Sequence, residues 1–145
     1  QQLYETYLAR ELATISEDAY RALGYSYVKT NYLDAGKSKL SYADAARVVL
    51  SYSAYPGTSE HQTGLCVDFI TDEMGGELTE AFEESAAFAW LSANAYKFGF
   101  ILRYPKGKEG ITGYTYEPWH YRFVGREAAT DIYCSGLTLE QYLEK

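Results

Sequence analysis

Apolar residues near the start of the chain recur at the spacing of an amphipathic helix. The face they form consists of Leu3, Tyr7, Leu8, Leu12 and Ile15. This pattern predicts helical structure over residues 3–23, and Ser16 with the acidic residues after it predicts the start of a second helix within that range. Gly24 is expected to end the segment.

A further helical pattern begins at Ser41. Ser41 and Asp44 resemble a helix-capping pair, and mainly apolar residues follow over 45–50. The preceding residues, 25–40, show a mixed pattern without a clear period. Proline and glycine in residues 55–59 predict a loop.

Three short runs in the second half of the chain have the composition of β-strands. They are residues 65–70, 100–104 and 114–123, of which the last is interrupted by Pro118. Between the first two runs, residues 79–98 have a helical pattern closed by Gly99. The core positions predicted on this helix are Phe82, Ala86, Ala89, Trp90, Ala93 and Tyr96.

These elements predict an α+β fold in which helices flank a small antiparallel sheet. Closing helices are expected at residues 126–134 and 138–143, after a loop at 105–113. The length of 145 residues suits one domain with its own core, so a single domain is predicted over residues 1–145. The chain opens on Gln1 rather than on methionine, which suggests that a short N-terminal segment is missing.

Composition excludes several classes of function. The formal charge is −7 and the 13 lysines and arginines form no basic run, which argues against a nucleic-acid partner. No apolar run approaches the ~20 residues of a membrane span. The 16 tyrosines suit either a tyrosine-rich surface or the walls of a groove for a polar ligand. Cys66 and Cys134 permit a disulfide without requiring one.

Both histidines of the chain stand beside further metal-binding residues. His61 precedes Asp68 across a glycine, and His120 follows Glu117 by three positions. Two imidazoles and one carboxylate form a typical catalytic zinc ligand set, with one glutamate left to act as a base. A single loop histidine is usually structural, so it is the joint arrangement that favours a metal site.

Pro118 affects where Glu117 and His120 point. In a regular strand, residues three apart face opposite sides of the sheet. Pro118 cannot donate to a strand ladder and predicts a local break, which would direct both side chains into one cavity. Glu117 is then placed to take a proton from the attacking water and pass it to the leaving amine.

Two sequence blocks are specific enough for comparison with known families. They are Ser59-x-His61-x-x-Gly64-x-x-x-Asp68 and Glu117-x-Trp119-His120, supported by residues 99–105 and 137–143. These blocks resemble the zinc D-alanyl-D-alanine carboxypeptidases of the VanY type. The same peptidase group holds the VanX dipeptidases and the LdcB-type L,D-carboxypeptidases. The resemblance extends from about residue 48 to the C-terminus.

This resemblance implies a set of roles and a location. It implies a zinc ion (Zn2+) held by His61, Asp68 and His120, with Glu117 as the catalytic base. The implied reaction removes the C-terminal D-alanine from peptidoglycan stem peptides, with D,D- favoured over L,D-specificity. We expect a monomeric bacterial peptidase that is extracellular or associated with the cell wall, with any membrane anchor in upstream sequence.

Four residues are predicted to contact the substrate. Arg103 suits bidentate binding of a terminal carboxylate, with a structural ion pair as an equally weighted alternative. Ser59 belongs to the first block, and Tyr114 is expected to line the groove by strand alternation. Trp119 is expected either to line the cleft or, by preference, to pack in the core.

The chain departs from the family pattern in two places. Cys66 stands where the family usually has alanine, and a Ser-x-Tyr-Arg segment expected before Gln1 or Gln2 is absent. The missing arginine leaves open a non-catalytic, zinc-stabilised module that binds wall peptides, although a retained Glu117 argues against it. A cell-wall endopeptidase is the remaining alternative.

Overall fold

The computed structural model describes residues 2–144, with the side chain of Met74 excepted, so Gln1 and Lys145 of the predicted domain lie outside the described residues. The chain divides into two compact units between Ser59 and Glu60. The first contains helices α1 (Gln2–Ala13), α2 (Glu17–Leu23), α3 (Tyr25–Val28) and α4 (Tyr42–Tyr52), with a π-helical turn at Lys29–Leu33. The second contains strands β1 (Cys66–Asp68), β2 (Phe100–Leu102) and β3 (His120–Phe123), and helices α5 (Ala86–Asn94), α6 (Glu109–Thr112), α7 (Arg126–Ser135) and α8 (Leu139–Leu143). It also contains 3₁₀ helices at Glu60–Thr63, Asp72–Met74, Glu80–Glu84 and Ala95–Phe98.

Two helices of the N-terminal unit, α2 and α4, begin at the predicted caps. The hydroxyl of Ser16 accepts a hydrogen bond from Ala19 N at 3.1 Å, and that of Ser41 accepts one from Asp44 N at 3.2 Å. Helices α1 and α2 both pack against α4. Their shared core consists of Leu8, Ala19, Tyr32, Leu40, Ala45, Val48 and Val49.

Residues 25–33 are helical, although their pattern appeared mixed. Val28 and Tyr32, four residues apart, are buried and mark the inner face of the segment. Tyr25 and Tyr27 are exposed, so aromatic residues occur on both faces and obscure the helical period.

The C-terminal unit is built on a three-stranded antiparallel sheet in the order β1-β3-β2. The register pairs Cys66 with Arg122, Val67 with Tyr121 and Asp68 with His120 on one side, and Ile101 with Arg122 on the other. A core of Ile101, Ala129 and Ile132 joins β2 to α7. The predicted α+β class with a small antiparallel sheet is therefore confirmed.

The helix predicted over residues 79–98 is wrong in extent. Helix α5 covers only Ala86–Asn94, with 3₁₀ helices before and after it. Ser85 interrupts the segment, because its backbone is extended and its hydroxyl caps α5 by accepting from Phe88 N at 3.0 Å. Gly99 ends the segment as predicted, with φ +87°.

The core positions predicted on this helix are correct only in part. Phe82 is 1% exposed, whereas Trp90 is 54% exposed. Three more predicted positions are exposed as well, namely Ala86, Ala89 and Ala93, while Tyr96 is half-buried. Since α5 is apolar on every side, its sequence does not identify the buried face.

Two further segments differ from the predicted elements. The loop predicted at residues 105–113 contains the short helix α6. The strand predicted at 114–123 begins only at His120, because residues 118–119 form a turn. Within residues 2–144, no helix has the length and apolar character needed to cross a membrane.

Candidate active site

The pairing of β1 with β3 brings the first two predicted metal ligands together. Asp68 and His120 are direct cross-strand partners, so their side chains project from the same face of the sheet at neighbouring positions. Asp68 Oδ1 lies 2.9 Å from His120 Nδ1. His120 is buried, at 4% exposure, while the Asp68 side chain is about one quarter exposed at 26%.

His61 reaches the same point from the segment before β1. It lies in the 3₁₀ helix Glu60–Thr63, and Gly64 then turns the chain into the strand with φ +71°. His61 Nε2 lies 3.4 Å from Asp68 Oδ2. The imidazole rings of His61 and His120 meet edge to face, with their centroids 4.7 Å apart.

Glu117 enters the cluster through a tight turn. The backbone N–H of His120 donates to the carbonyl of Glu117 at 3.1 Å, which closes a four-residue turn with Pro118 at its second position. This turn aims the Glu117 carboxylate at the start of β3, where its Oε2 lies 3.8 Å from His120 Nδ1. Glu117 is only 7% exposed.

The donor set fits a metal ion. His61, Asp68 and His120 each offer one ligand atom, and these atoms lie within 4.8 Å of one another. Asp68 Oδ1 is buried and lies 2.9 Å from His120 Nδ1, so the two ligand atoms are close enough to share one cation. Two imidazoles with one carboxylate suit zinc.

Burial acts in opposite directions on the pKa values of Glu117 and His120. Burial raises the pKa of Glu117 to about 7; the charge of His120 opposes this rise and the carboxylates of Asp68 and Glu60 add to it. Burial alone would lower the pKa of His120, but the facing carboxylates of Asp68 and Glu60 outweigh it and raise that pKa to about 9. A cation in the cluster would favour the ionised carboxylate of Glu117.

Glu60 is a member of this site that the sequence analysis missed. Its Oε1 lies 2.8 Å from His120 Nε2, on the side of the ring away from Asp68. Its Oε2 accepts hydrogen bonds from Arg103 Nε at 3.2 Å and Arg122 Nη1 at 3.1 Å. Burial alone would raise the pKa of Glu60, but hydrogen bonds from His120 and Cys66 and the charge of Arg103 hold it at about 2.

Strand alternation would have pointed to part of this network. Arg122 lies two residues after His120, and Cys66 lies two before Asp68, so all four side chains share one face of the sheet. Nothing in the pattern of residues 59–63 distinguishes Glu60 from an ordinary exposed glutamate in a loop.

Arg103 lies between two carboxylates. Besides Glu60, it contacts Glu140 of α8, with Nη2 2.6 Å from Oε1. Its side chain is 13% exposed, and its buried Nη1 has no hydrogen-bond partner among residues 2–144. These contacts favour the ion-pair alternative for Arg103, while its contact with a substrate carboxylate stays a prediction.

The other predicted substrate contacts differ in their burial and in the residues that they touch. The ring of Tyr114 stacks on that of Tyr104 at 4.5 Å, and the ring of Tyr104 lies 5.0 Å from that of His120. Trp119 is half-buried, and its carbonyl accepts from Phe69 N at 3.0 Å. Ser59 is half-buried at the end of the N-terminal unit.

The two cysteines have different environments. Both are free, with Cys66 half-buried in β1 and Cys134 exposed on α7. Burial raises the pKa of the Cys66 thiol to about 12, and its hydrogen bond to Glu60 adds to this effect.

The sequence and fold resemble those of known peptidases. A family model described as "VanY: D-alanyl-D-alanine carboxypeptidase" matches residues 1–126. The chain is 59% identical over 92 residues to the protein YodJ of Bacillus subtilis (strain 168), a match that covers 63% of this chain and 34% of YodJ. The chain therefore spans about a third of the length of that relative.

Two solved structures resemble the chain over nearly its whole length. The LdcB LD-carboxypeptidase is 40% identical with a TM-score of 0.66, over 93% of this chain and 71% of that one. The vancomycin resistance D,D-pentapeptidase VanY of a VanB-type cassette, solved as a mutant in complex with Zn(II), is 39% identical with a TM-score of 0.63. That match covers 97% of this chain and 64% of the VanY chain.

Proposed function

We propose, since this chain belongs to the VanY family of D-alanyl-D-alanine carboxypeptidases, that it is a zinc-dependent carboxypeptidase that removes the C-terminal D-alanine from peptidoglycan stem peptides. The observation that carries the proposal is the convergence of His61, Asp68 and His120 on one point, with the buried carboxylate of Glu117 beside them. The substrate places its site of action outside the cell or at the cell wall.

His61, Asp68 and His120 are the proposed zinc ligands. Three protein ligands are the number found in catalytic zinc sites, which keep a fourth position open. The similar VanY structure in complex with Zn(II) supports this choice of metal. Bound there, zinc supplies a Lewis acid that activates water and polarises the scissile carbonyl.

Glu117 is the proposed general base. Its carboxylate lies close to the ligand cluster, and a cation bound there would keep it ionised and able to accept a proton. The base takes one proton from the attacking water and passes it to the nitrogen of the departing D-alanine as the peptide bond breaks. A purely structural metal site has no use for this buried glutamate, which weighs against a non-catalytic binding module.

Three further residues are proposed substrate contacts. Tyr114 reaches the site through its stack on Tyr104, whose ring faces His120. Ser59 and Trp119 adjoin His61 and His120 in the sequence and remain proposed substrate contacts.

Replacing Glu117 with Gln tests the mechanism. The variant keeps the size of the side chain but cannot accept a proton, so we expect zinc to stay bound while turnover falls by at least 10²-fold. Glu77→Gln, at an exposed position, is the matched control and should keep full activity. Unchanged turnover in Glu117→Gln would contradict the proposed base.

Two synthetic stem peptides test the substrate. One ends in D-Ala-D-Ala, and the other ends in a single D-alanine after an L-residue. Mass spectrometry that finds loss of one alanine only from the first would support D,D-specificity, whereas loss only from the second would assign the LdcB-type L,D-reaction. Release of internal fragments from peptidoglycan would instead support an endopeptidase, and binding without any cleavage would support a non-catalytic module.

A further inference from the structure

The two ring nitrogens of His120 face different carboxylates. Nε2 lies 2.8 Å from Glu60 Oε1, and Nδ1 lies 2.9 Å from Asp68 Oδ1. A neutral imidazole carries its single N–H on one nitrogen and a lone pair on the other. An N–H on Nε2 that donates to Glu60 leaves the lone pair of Nδ1 directed toward Asp68 and Glu117.

Glu60 is itself held in place by charge. Arg103 Nε and Arg122 Nη1 both donate to its Oε2, at 3.2 and 3.1 Å, while its Oε1 faces His120. The guanidinium groups are always charged, so they favour an ionised carboxylate that can only accept hydrogen bonds. The side chain of Glu60 is 18% exposed, which limits competition from water.

A second arrangement of ligands must be weighed against this one. Glu60, Cys66 and His120 also offer three ligand atoms within 4.8 Å of one another. However, Arg122 Nη1 donates to both Glu60 and the Sγ of Cys66, at 3.1 and 3.7 Å. A cation bound between Glu60 and Cys66 would be repelled by this guanidinium, so the Asp68 side of His120 is the favourable one.

We propose that Glu60 is a positioning residue for the metal site: it accepts the Nε2–H of His120 and thereby presents Nδ1 to the metal. Arg103 and Arg122 hold the Glu60 carboxylate in the orientation this requires. The inference rests on the proposed metal site but not on the identity of the substrate. Carboxylates that orient a metal-bound histidine in this way raise its basicity and fix its tautomer.

The tautomer can be read in the unmodified protein. The chain has only two histidines, so ¹⁵N spectra of the rings of zinc-loaded protein contain two sets of signals, which through-bond correlations from each ring to its own backbone assign. We expect His120 to be protonated at Nε2 and bound to zinc through Nδ1. A His120 that is bound through Nε2 and protonated at Nδ1 would overturn the proposal.

Zinc affinity of Glu60 variants is the second measurement. Glu60→Ala should weaken zinc binding by roughly 10–100-fold in a competition titration with a chelating dye. Glu60→Gln keeps a carbonyl oxygen that can accept the Nε2–H, so it should lose less affinity and should retain the tautomer. Cys66→Ala removes the other possible ligand and should keep most of the zinc affinity, because Arg103 and Arg122 still hold Glu60. Glu77→Ala, at an exposed position, is the matched control and should bind zinc like the wild type.

The possible results separate this inference from the proposed function. Equal losses in Glu60→Ala and Cys66→Ala would make Glu60 a direct ligand together with Cys66 and would overturn the positioning role. Wild-type affinity and an unchanged tautomer in both Glu60 variants, beside lost binding in His120→Ala, would overturn this inference alone. Wild-type protein that binds no zinc would overturn the metal site as well.

Discussion

The ion pair between Arg103 and Glu140 offers a direct test of what Arg103 does. The perturbation is a double-mutant cycle that combines Arg103→Met, which keeps most of the alkyl stem, with Glu140→Gln, which keeps the shape of the side chain. If Arg103 serves only to bind substrate, its coupling free energy with Glu140 in the free protein should be small. If the two residues form a structural ion pair, the coupling free energy must be clearly above zero.

The expected coupling follows from the distance and burial of the pair. Nη2 and Oε1 are 2.6 Å apart, and the two side chains are 13% and 29% exposed. Exposed pairs contribute about 0.2–1 kcal/mol, and breaking a fully buried pair costs about 3–5 kcal/mol. This partly exposed pair lies between those limits, so we expect a coupling free energy of about 1–2 kcal/mol.

Arg103→Met should be the more damaging single change. It removes the partner of Glu140 and one of the cationic partners of Glu60, whereas Glu140→Gln leaves Arg103 paired with Glu60. Urea unfolding of the wild type, both single variants and the double variant gives the cycle.

The stability that the Arg103–Glu140 pair contributes should depend on pH, and the exposed pair Lys106–Glu83 serves as its control. Burial alone would raise the pKa of Glu140, but the hydrogen bond from Arg103 outweighs it and lowers that pKa. The stabilisation is therefore present above the ordinary glutamate pKa of about 4.3 and is lost as the pH falls through the lower value in the folded state. The pair Lys106–Glu83, with Lys106 64% exposed, should show weaker coupling that salt removes. Coupling near zero between Arg103 and Glu140, with a raised KM for peptide in Arg103→Met, would refute the ion-pair role.

Three further outcomes follow from the structure. Gly99→Ala should destabilise the protein by about 2–5 kcal/mol in urea unfolding, because its φ is +87° and the new Cβ would lie 2.7 Å from a ring carbon in β3. Gly136→Ala, with φ +67° and open space around the new Cβ, should cost only about 1–2 kcal/mol. Equal losses of stability in the two variants would contradict the steric argument. Alkylation followed by mass spectrometry at mildly alkaline pH should modify the exposed Cys134 at least about tenfold faster than Cys66, because burial raises the pKa of the Cys66 thiol to about 12; similar rates would refute this. Zinc affinity should rise with pH until about 9, because the metal must displace a proton from His120, and an affinity that does not change with pH would contradict this. The raised pKa of His120 also stabilises the metal-free fold: the contribution is complete below about pH 6.5 and is lost as the pH rises to about 9.

Local chemistry in the sequence predicted those parts of the fold that depend on few residues. The caps at Ser16 and Ser41 are correct, because a helix start depends on one side chain and the backbone two or three residues later. The helix predicted over residues 79–98 is wrong, because Ser85 competes for the backbone and an all-apolar segment carries no directional signal.

The candidate site was likewise predicted in part, where neighbouring residues carry the signal. The inventory of two histidines, one aspartate and one glutamate indicated a metal cluster, and the break at Pro118 indicated how Glu117 and His120 could meet. Glu60 was missed because its role depends on three partners far away in the sequence, at residues 103, 120 and 122. Such a contact becomes visible only once the order and register of the strands are known.

The register of β1 against β3 determines which residue lies opposite His120. Asp68 meets Nδ1 because the two residues are direct partners, and a slip of one position would turn them to opposite faces of the sheet. Strands of three and four residues offer few hydrogen bonds to prevent such a slip. The bond from Arg122 to Glu60 adds a tie between β3 and the segment that leads into β1. The contacts that orient the proposed metal ligands are thus also contacts that hold the strands in register, so a change that breaks them should weaken metal binding and folding together.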